Sequence, residues 1–180
     1  MSIKRSIKGS VTGGGGEGTI AELAGAKSTV TQILGADDTP EVILFAQDQV
    51  TSTNITILTN NQFNFAAAGL YVIRCNLEVT RQLAAGFARW YAFWEIDTGG
   101  GFTTAPISTT MESMSSNDSA EIHPVTKAVL YLDVTVPNTK LRLSHQTDAS
   151  IRDVGIEAAP SGVGVPGDVP SIIISVAKVN

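Results

Sequence analysis

The segment Leu70–Gln82 alternates apolar and polar residues along most of its length. A period of two residues indicates a β-strand with one face buried and the other in contact with water, as in an antiparallel sheet. The expected buried face consists of Tyr71, Ile73, Cys75, Leu77 and Val79, and the expected wet face of Arg74, Asn76, Glu78 and Thr80. Because no cationic partner is suggested beside Cys75, we interpret it as a structural thiol and not as a nucleophile.

Short apolar or alternating segments follow one another through the chain from residue 41 onward. The other predicted strands are Glu41–Gln47, Asn54–Thr59, Phe63–Phe65, Phe87–Asp97, Ala128–Val136, Lys140–His145 and Ile172–Val179. Residues 103–124 and 159–170 are predicted to be long loops, the first with room for one strand. Seven or eight short strands with almost no helix favour an all-β antiparallel sandwich or jelly roll.

The turn signal Pro137-Asn138-Thr139 lies between two of these strands. Lys140–His145 is therefore expected to return as the hairpin partner of Ala128–Val136. Within Ala128–Val136, alternation places Leu132 on the inward face and Asp133 on the outward face.

The strand Phe87–Asp97 is apolar on both faces. One face carries Trp90, Trp94 and Ile96, and the other Phe87, Tyr91 and Phe93. The first can join a sandwich core, whereas the second needs a cover, either a partner subunit or a loop of the same chain. We favour a partner subunit, because charged residues make up only 16% of the chain, against about 25% in typical soluble domains. Phe87, Tyr91 and Phe93 are therefore our candidate subunit interface.

The N-terminal segment differs in charge from the remainder. Residues 1–16 hold three of the 12 basic residues, Lys4, Arg5 and Lys8, and none of the 17 acidic ones. Four consecutive glycines at 13–16 predict a flexible hinge. A basic arm on an acidic body is typical of a segment that binds another molecule, and we expect these three cations to help anchor the arm. The acidic body lacks the clustered cations that nucleic-acid binding requires.

The residues after the glycine run favour a short helix. Thr19-Ile20-Ala21-Glu22 has the spacing of a capping box, so a helix over about Ile20–Ala26 is expected, although Gly25 weakens it. Ser28–Gly35 has room for one more turn. These features divide the chain into an N-terminal arm at 1–38 and a β-domain at 39–180.

Sequence motifs for catalysis or cofactor binding are weak. Gly13-x-Gly15-x-x-Gly18 formally matches the dinucleotide fingerprint, but no apolar strand precedes it and no βαβ unit follows. A single cysteine excludes an intrachain disulfide and a structural zinc site. Glu112, Asp118 and Glu121 lack EF-hand spacing, so we favour surface acids over a calcium site in that loop.

The two histidines, His123 and His145, have no metal-ligand neighbour at helical or hairpin spacing. His145 with Asp148 suggests a base and the group that orients it, but no serine lies in a nucleophile elbow. We therefore expect no enzyme activity, no cofactor and no metal site. Of the functions considered, a glycan-active enzyme is the hypothesis that the sequence favours least.

The strand series resembles the C1q/TNF-like jelly-roll family over about residues 41–179. Phe63-Asn64-Phe65 followed by Ala68-Gly69-Leu70-Tyr71 is similar to the family's entry into a central strand. The aromatic strand through Trp90–Ile96 and a closing apolar strand come in the family's order. Pro137-Asn138-Thr139 differs from the Gly-Asp that many members have at that turn. The resemblance implies a compact homotrimer with aromatic and aliphatic side chains along its axis, binding through loops and no catalysis.

Among such folds, a chain with one unpaired cysteine and a basic Gly-rich arm looks like a bacteriophage structural protein. No apolar stretch of signal-peptide length follows Met1, so we expect synthesis in the host cytoplasm and a final location in the virion. Our first hypothesis is a capsid decoration (cement) protein, a homotrimer on the outside of the phage head. Its arm would grip the major capsid protein or another virion protein, without nucleic acid or membrane. The alternative is a fibre-tip or receptor-binding module that recognises a host glycan or protein through its loops.

Overall fold

A computed structural model of the chain describes residues 20–47, 52–59, 61–81, 86–106, 108–116, 121–126, 129–158 and 170–179. These residues are mostly strand, with a single turn of 3-10 helix at Ser150–Arg152. Within the same ranges, no helix has the length and apolar character needed to cross a membrane. Lys4, Arg5 and Lys8 of the predicted arm lie outside the described residues.

Fifteen strands run through the described residues. In chain order they are β1 (Ile20–Ser28), β2 (Gln32–Ile33), β3 (Glu41–Val42), β4 (Ala46–Gln47), β5 (Ile55–Leu58), β6 (Gln62–Phe65), β7 (Gly69–Arg81), β8 (Gly86–Asp97), β9 (Thr103–Thr104), β10 (Thr110–Ser116), β11 (Glu121–Thr126), β12 (Leu130–Val134), β13 (Thr139–Thr147), β14 (Val154–Ile156) and β15 (Ile172–Val179).

The strands form two antiparallel sheets. Sheet A contains β1, β2, β4, β7, β11, β12, β14 and β15, and sheet B contains β3, β5, β6, β8, β9, β10 and β13. In sheet A, β7 pairs with β15, β14, β12 and β11, and β1 pairs with the far side of β15. In sheet B, β8 lies between β10 and β13. The two sheets enclose one apolar core, so the fold is an all-β sandwich.

Alternation predicts which residues of Leu70–Gln82, Ala128–Val136 and Ile172–Val179 face inward, and the core confirms this except at Val136, which was expected inward but is 45% exposed beyond the end of β12. Tyr71, Ile73, Cys75, Leu77 and Val79 of β7 are buried, as are Leu130, Leu132 and Val134 of β12 and Ile172, Ile174 and Val176 of β15. Opposite them, sheet B contributes Trp90 and Trp94 of β8. The outward series of β7 holds at Arg74 and Asn76 but fails at Thr80, which is buried where β7 is flanked by both β14 and β11.

Residues 20–28 form strand β1, so the short helix expected over Ile20–Ala26 is wrong. Ala24 and Ala26 are buried while Leu23 is exposed, which is the period of a strand. β1 pairs with β15 almost from end to end, and these ladder hydrogen bonds outweigh a helix propensity that Gly25 already lowers. The expected turn over Ser28–Gly35 instead contains β2. The part of the predicted arm that starts at Ile20 thus belongs to sheet A.

The predicted hairpin between Ala128–Val136 and Lys140–His145 is also wrong. β12 pairs with β7 in sheet A, whereas β13 pairs with β8 and β6 in sheet B. The turn between them crosses from one sheet to the other. Asn138 in this turn has a left-handed φ of 64°, and its N–H donates to the carbonyl of Phe65 at 2.7 Å. Each strand buries one apolar face, and placing the two strands in opposite sheets directs both faces into one core.

Residues 103–124 hold more strand than expected. β9, β10 and the start of β11 fall in this range. β10 pairs with β8 along seven residues, and its buried Met114 joins the core. A segment rich in Ser, Thr and Met has little intrinsic strand preference, so its pairing with β8 decides its structure. Residues 159–169 of the other predicted loop lie outside the described residues.

Candidate functional site

The outer face of β8 carries the aromatic residues expected to form a subunit interface. Phe87 is 47% exposed, and the Arg89 guanidinium lies over its ring at 4.7 Å from the centroid. Tyr91 and Phe93 are half-buried on the same face. β8 thus has one buried face and one aromatic outer face, as predicted. Charged Arg89 and Glu95 lie on the same outer face, on either side of Tyr91 and Phe93.

A concavity of about 390 Å³ lies over Tyr91 and Phe93. Its other walls come from Pro40, Glu95, Thr104, Thr109 and Gln146. The register explains this grouping, because Tyr91 lies opposite Gln146 of β13 and Glu95 lies opposite Thr104 of β9. Residues directly opposed on paired strands point to the same side of a sheet. Two aromatic rings and several hydrogen-bonding groups therefore face the same space.

Glu95 is held at one end of this concavity. Its carboxylate accepts hydrogen bonds from the Arg142 guanidinium, with Nε to Oε2 at 2.8 Å and Nη2 to Oε1 at 3.2 Å, and from the hydroxyl of Ser144. Burial works to raise the pKa of Glu95, but the hydrogen bonds from Arg142 and Ser144 outweigh it and lower that pKa overall. The Arg142 guanidinium also stacks over Phe102 at 4.1 Å. The carboxylate is thus ionised and fixed in position.

The outer face of sheet A carries an apolar row that the sequence did not predict. Leu23 lies opposite Ala177, Ala177 opposite Val72, and Val72 opposite Tyr131, so four strands contribute one residue each. All four side chains point away from the core. Tyr131 is 69% exposed and Leu23 is 44% exposed. In the next row, Val179 lies opposite Leu70, and Leu70 opposite Asp133.

A shallow depression of about 250 Å³ lies within this apolar face. It is lined by Leu23, Val72, Ala177 and Val179, together with Arg74 and Ser175. A contiguous apolar patch on an outer sheet face, with charged groups beside it, is typical of a protein interaction site. The patch is called the sheet A face below and consists of Leu23, Leu70, Val72, Tyr131, Ala177 and Val179.

One sequence signal for the sheet A face was present in β15. Ile173, Ala177 and Val179 alternate with the buried Ile172, Ile174 and Val176, so this strand is apolar on both faces apart from Ser175 and Lys178. The same argument that selected Phe87–Asp97 applies to β15.

His145 is part of the core and not a catalytic base. The Trp90 indole N–H donates to His145 Nδ1 at 3.2 Å, and burial lowers the pKa of the imidazole to about 4. The ring is therefore neutral at neutral pH. Asp148 instead accepts a hydrogen bond from the backbone N–H of Arg89 at 2.7 Å and pairs with the Arg89 guanidinium at 3.3 Å. The pairing of His145 with Asp148 considered from sequence does not form.

The remaining residues considered for reactivity or metal binding are Cys75 and the possible calcium ligands. Cys75 is buried, and burial raises the pKa of its thiol, so little reactive thiolate forms. Of the possible calcium ligands, Asp118 lies outside the described residues. Among the side chains that are described, no three His, Cys, Asp or Glu come close enough to hold a metal ion.

A search of protein-family profiles and a search of curated protein sequences both returned no match.

Proposed function

We propose that the protein is a non-enzymatic virion structural protein, a homotrimeric capsid decoration protein with jelly-roll topology. The observation that carries this proposal is the sheet A face, an apolar surface on the outside of a complete sandwich. Apolar side chains gain free energy when they leave water, by roughly 25 cal/mol per Å² of buried area. We propose that the partner is a second copy of the same chain. Its sheet A face is equally apolar, so both copies gain free energy when these faces leave water.

The strand order supports a jelly roll. The chain crosses between the sheets repeatedly, with β5 and β6 in sheet B, β7 in sheet A, β8 to β10 in sheet B, β11 and β12 in sheet A, β13 in sheet B, and β14 and β15 in sheet A. Several strands that are neighbours in space are therefore distant in sequence, as β1 and β15 and β8 and β13 are. Crossing connections of this kind are the property that distinguishes a jelly roll from two separate meanders.

The sheet A face fits a subunit interface better than the outer face of β8 does. Its central row of Leu23, Ala177, Val72 and Tyr131 has no charged member, and interface cores are depleted of charge. On β8, by contrast, the ring of Phe87 already has the Arg89 guanidinium over it, and Glu95 is charged. No observation tests the prediction that Phe87, Tyr91 and Phe93 form the trimer interface. For the reasons given above, we propose the sheet A face as the interface instead.

The virion assignment rests on sequence properties. The chain combines low charge, one buried cysteine and a basic glycine-rich segment at its start. A cement protein needs a body that packs with its own copies and a segment that reaches a neighbouring protein. Lys4, Arg5 and Lys8 are proposed to help anchor that segment to the major capsid protein. Segments that become ordered on binding add contact area without a rigid matching surface.

The test is to count copies of the protein in purified particles by quantitative mass spectrometry, with the major capsid protein as internal reference. A decoration protein is expected in hundreds of copies per particle. A few dozen copies or fewer would instead assign the chain to a fibre or receptor-binding tip. Absence from particles that contain every other virion protein would overturn the proposal.

A further inference from the structure

We propose that the concavity over Tyr91 and Phe93 on the outer face of sheet B is a binding site for one uncharged pyranose ring of a glycan. This inference goes beyond a structural role. It gives each subunit a second surface, on the opposite side of the sandwich from the sheet A face, with which to hold a carbohydrate.

Tyr91 and Phe93 supply the apolar part of the site. They are two residues apart on β8, so both rings stand on the outer face of the sheet. Each is half-buried, so its position is fixed by its neighbours while part of its surface stays open. One side of a pyranose ring presents C–H groups that are slightly positive. The face of an aromatic ring is slightly negative, so the two attract.

Three polar side chains around these rings have no hydrogen-bond partner among the described residues. Within the described part of the chain, the side chains of Gln146, Thr104 and Thr109 make no hydrogen bond to another residue, although each lines the concavity. An amide offers two donors and an acceptor, and each hydroxyl both donates and accepts. The hydroxyl groups of a sugar also donate and accept hydrogen bonds, so each of these side chains can form a hydrogen bond with one of them.

Glu95 adds a fixed acceptor to the site. Arg142 and Ser144 hold the carboxylate in one orientation, so little side-chain entropy is lost when a ligand binds. Each carboxylate oxygen accepts more than one hydrogen bond, so Glu95 can still accept from a sugar hydroxyl. Hydrogen bonds to a charged acceptor are stronger than neutral ones.

The charges of the site favour an uncharged sugar over an acidic one. Glu95 is ionised, and the guanidinium that neutralises it is already engaged with both the carboxylate and the ring of Phe102. A sialic or uronic acid would bring a second carboxylate close to Glu95, and no cationic side chain is among the described residues that line the concavity. The volume of about 390 Å³ lies at the small end of ligand sites, which run from about 300 to 1,000 Å³. One ring, with its neighbours in solvent, is the expected occupant.

The test is saturation-transfer NMR on the full-length protein with methyl glycosides of glucose, galactose, mannose and N-acetylglucosamine, and with N-acetylneuraminic acid as the acidic probe. At least one neutral glycoside is expected to bind with a millimolar Kd. Tyr91→Leu is expected to weaken binding about tenfold, and Gln146→Leu about three- to tenfold. Because Tyr91 is half-buried, the melting temperature of each variant is measured beside its affinity, and Gln146→Leu serves as the second variant if Tyr91→Leu unfolds.

Tyr131→Asp is the matched control, because Tyr131 lies on the outer face of the other sheet. It is expected to leave sugar binding unchanged even where it dissociates the trimer, so failure of the trimer and failure of the sugar site are separate results. Absence of saturation transfer to every neutral glycoside would overturn the inference, as would binding of the acidic probe alone. Unchanged affinity in folded Tyr91→Leu and Gln146→Leu would also overturn it.

Discussion

Tyr131 and Val72 lie directly opposite each other on the antiparallel strands β12 and β7, and both side chains point to the outside of sheet A. Ala177 and Leu23 continue the same row on the other side of Val72. Tyr131 has most of its side chain in water and lies at the end of an apolar row. We expect such an aromatic residue at the centre of a subunit interface, where a partner subunit would cover it.

The first prediction concerns Tyr131. Tyr131→Asp is expected to convert the proposed trimer into a folded monomer of 18.9 kDa in sedimentation velocity. A carboxylate buried between subunits loses its hydration, whereas on an exposed strand position it costs the isolated fold little, within about 0.5 kcal/mol.

Phe87→Asp is the matched control on the outer face of β8, and it is expected to stay trimeric. If Tyr131→Asp is trimeric and Phe87→Asp is monomeric, the sheet A face is not the interface, and Phe87, Tyr91 and Phe93 form it instead.

The second prediction tests the register of β12. Leu132 is buried and Asp133 is exposed. Leu132→Asp places an unpaired carboxylate in the core, which costs several kcal/mol out of a total stability of about 5–15 kcal/mol, so this variant is expected not to fold. Asp133→Ala is expected to change stability by less than about 0.5 kcal/mol. Thermal unfolding followed by circular dichroism distinguishes the two, and equal small effects would contradict the register.

The third prediction is a loss of stability between pH 6.5 and about 4 that depends on His145. Burial lowers the pKa of the folded imidazole to about 4 from 6.5. As the pH falls through this window, the unfolded chain binds a proton that the folded chain does not, so the free energy of unfolding decreases. The full difference is roughly 3 kcal/mol.

Urea unfolding at pH 7, 5.5 and 4.5 measures this effect. His145→Gln removes this titration, so its stability is expected to fall less than that of the wild type between pH 7 and 4.5. The carboxyl groups of Glu22, Asp37, Glu95 and Asp97 have lowered pKa values, and the stability that they contribute is lost from about pH 5 downward, equally in both proteins. An equal pH dependence in the wild type and in His145→Gln would contradict the assignment to His145.

The fourth prediction concerns the basic segment at the start of the chain. Deleting residues 1–18 is expected to leave a folded trimer, because the deletion stops short of β1 and removes no described core residue. The truncated trimer is expected to lose its attachment to the particle. Co-sedimentation of truncated and full-length protein with stripped particles tests this, and equal recovery in the pellet would show that the sandwich itself makes the attachment.

Period-two alternation predicted which side of β7, β12 and β15 is buried, because that property depends only on neighbours along one strand. The strand pairing depends on contacts that are remote in sequence, and here prediction failed. For β1, the local capping-box spacing predicts a helix, and no local pattern points to its partner β15 at the other end of the chain. For β12 and β13, the turn signal Pro137-Asn138-Thr139 predicts a hairpin, because the same turn residues occur whether a chain returns within one sheet or crosses to the other.

The same limit explains the candidate sites. The aromatic outer face of β8 was visible within one strand, whereas the sheet A face draws residues from β1, β7, β12 and β15. The concavity over Tyr91 likewise needs Gln146 and Thr104 from neighbouring strands. A site built across strands cannot be found until the strand order is known.

Cryo-electron microscopy of stripped particles incubated with the purified full-length protein tests the central claim most directly. A decoration protein is expected to restore density at regularly repeated positions over the outer surface of the head. Each density should be threefold symmetric, with the sheet A faces of three subunits turned toward its axis. Density confined to a tail or fibre, or heads that remain bare at saturating protein, would contradict the account.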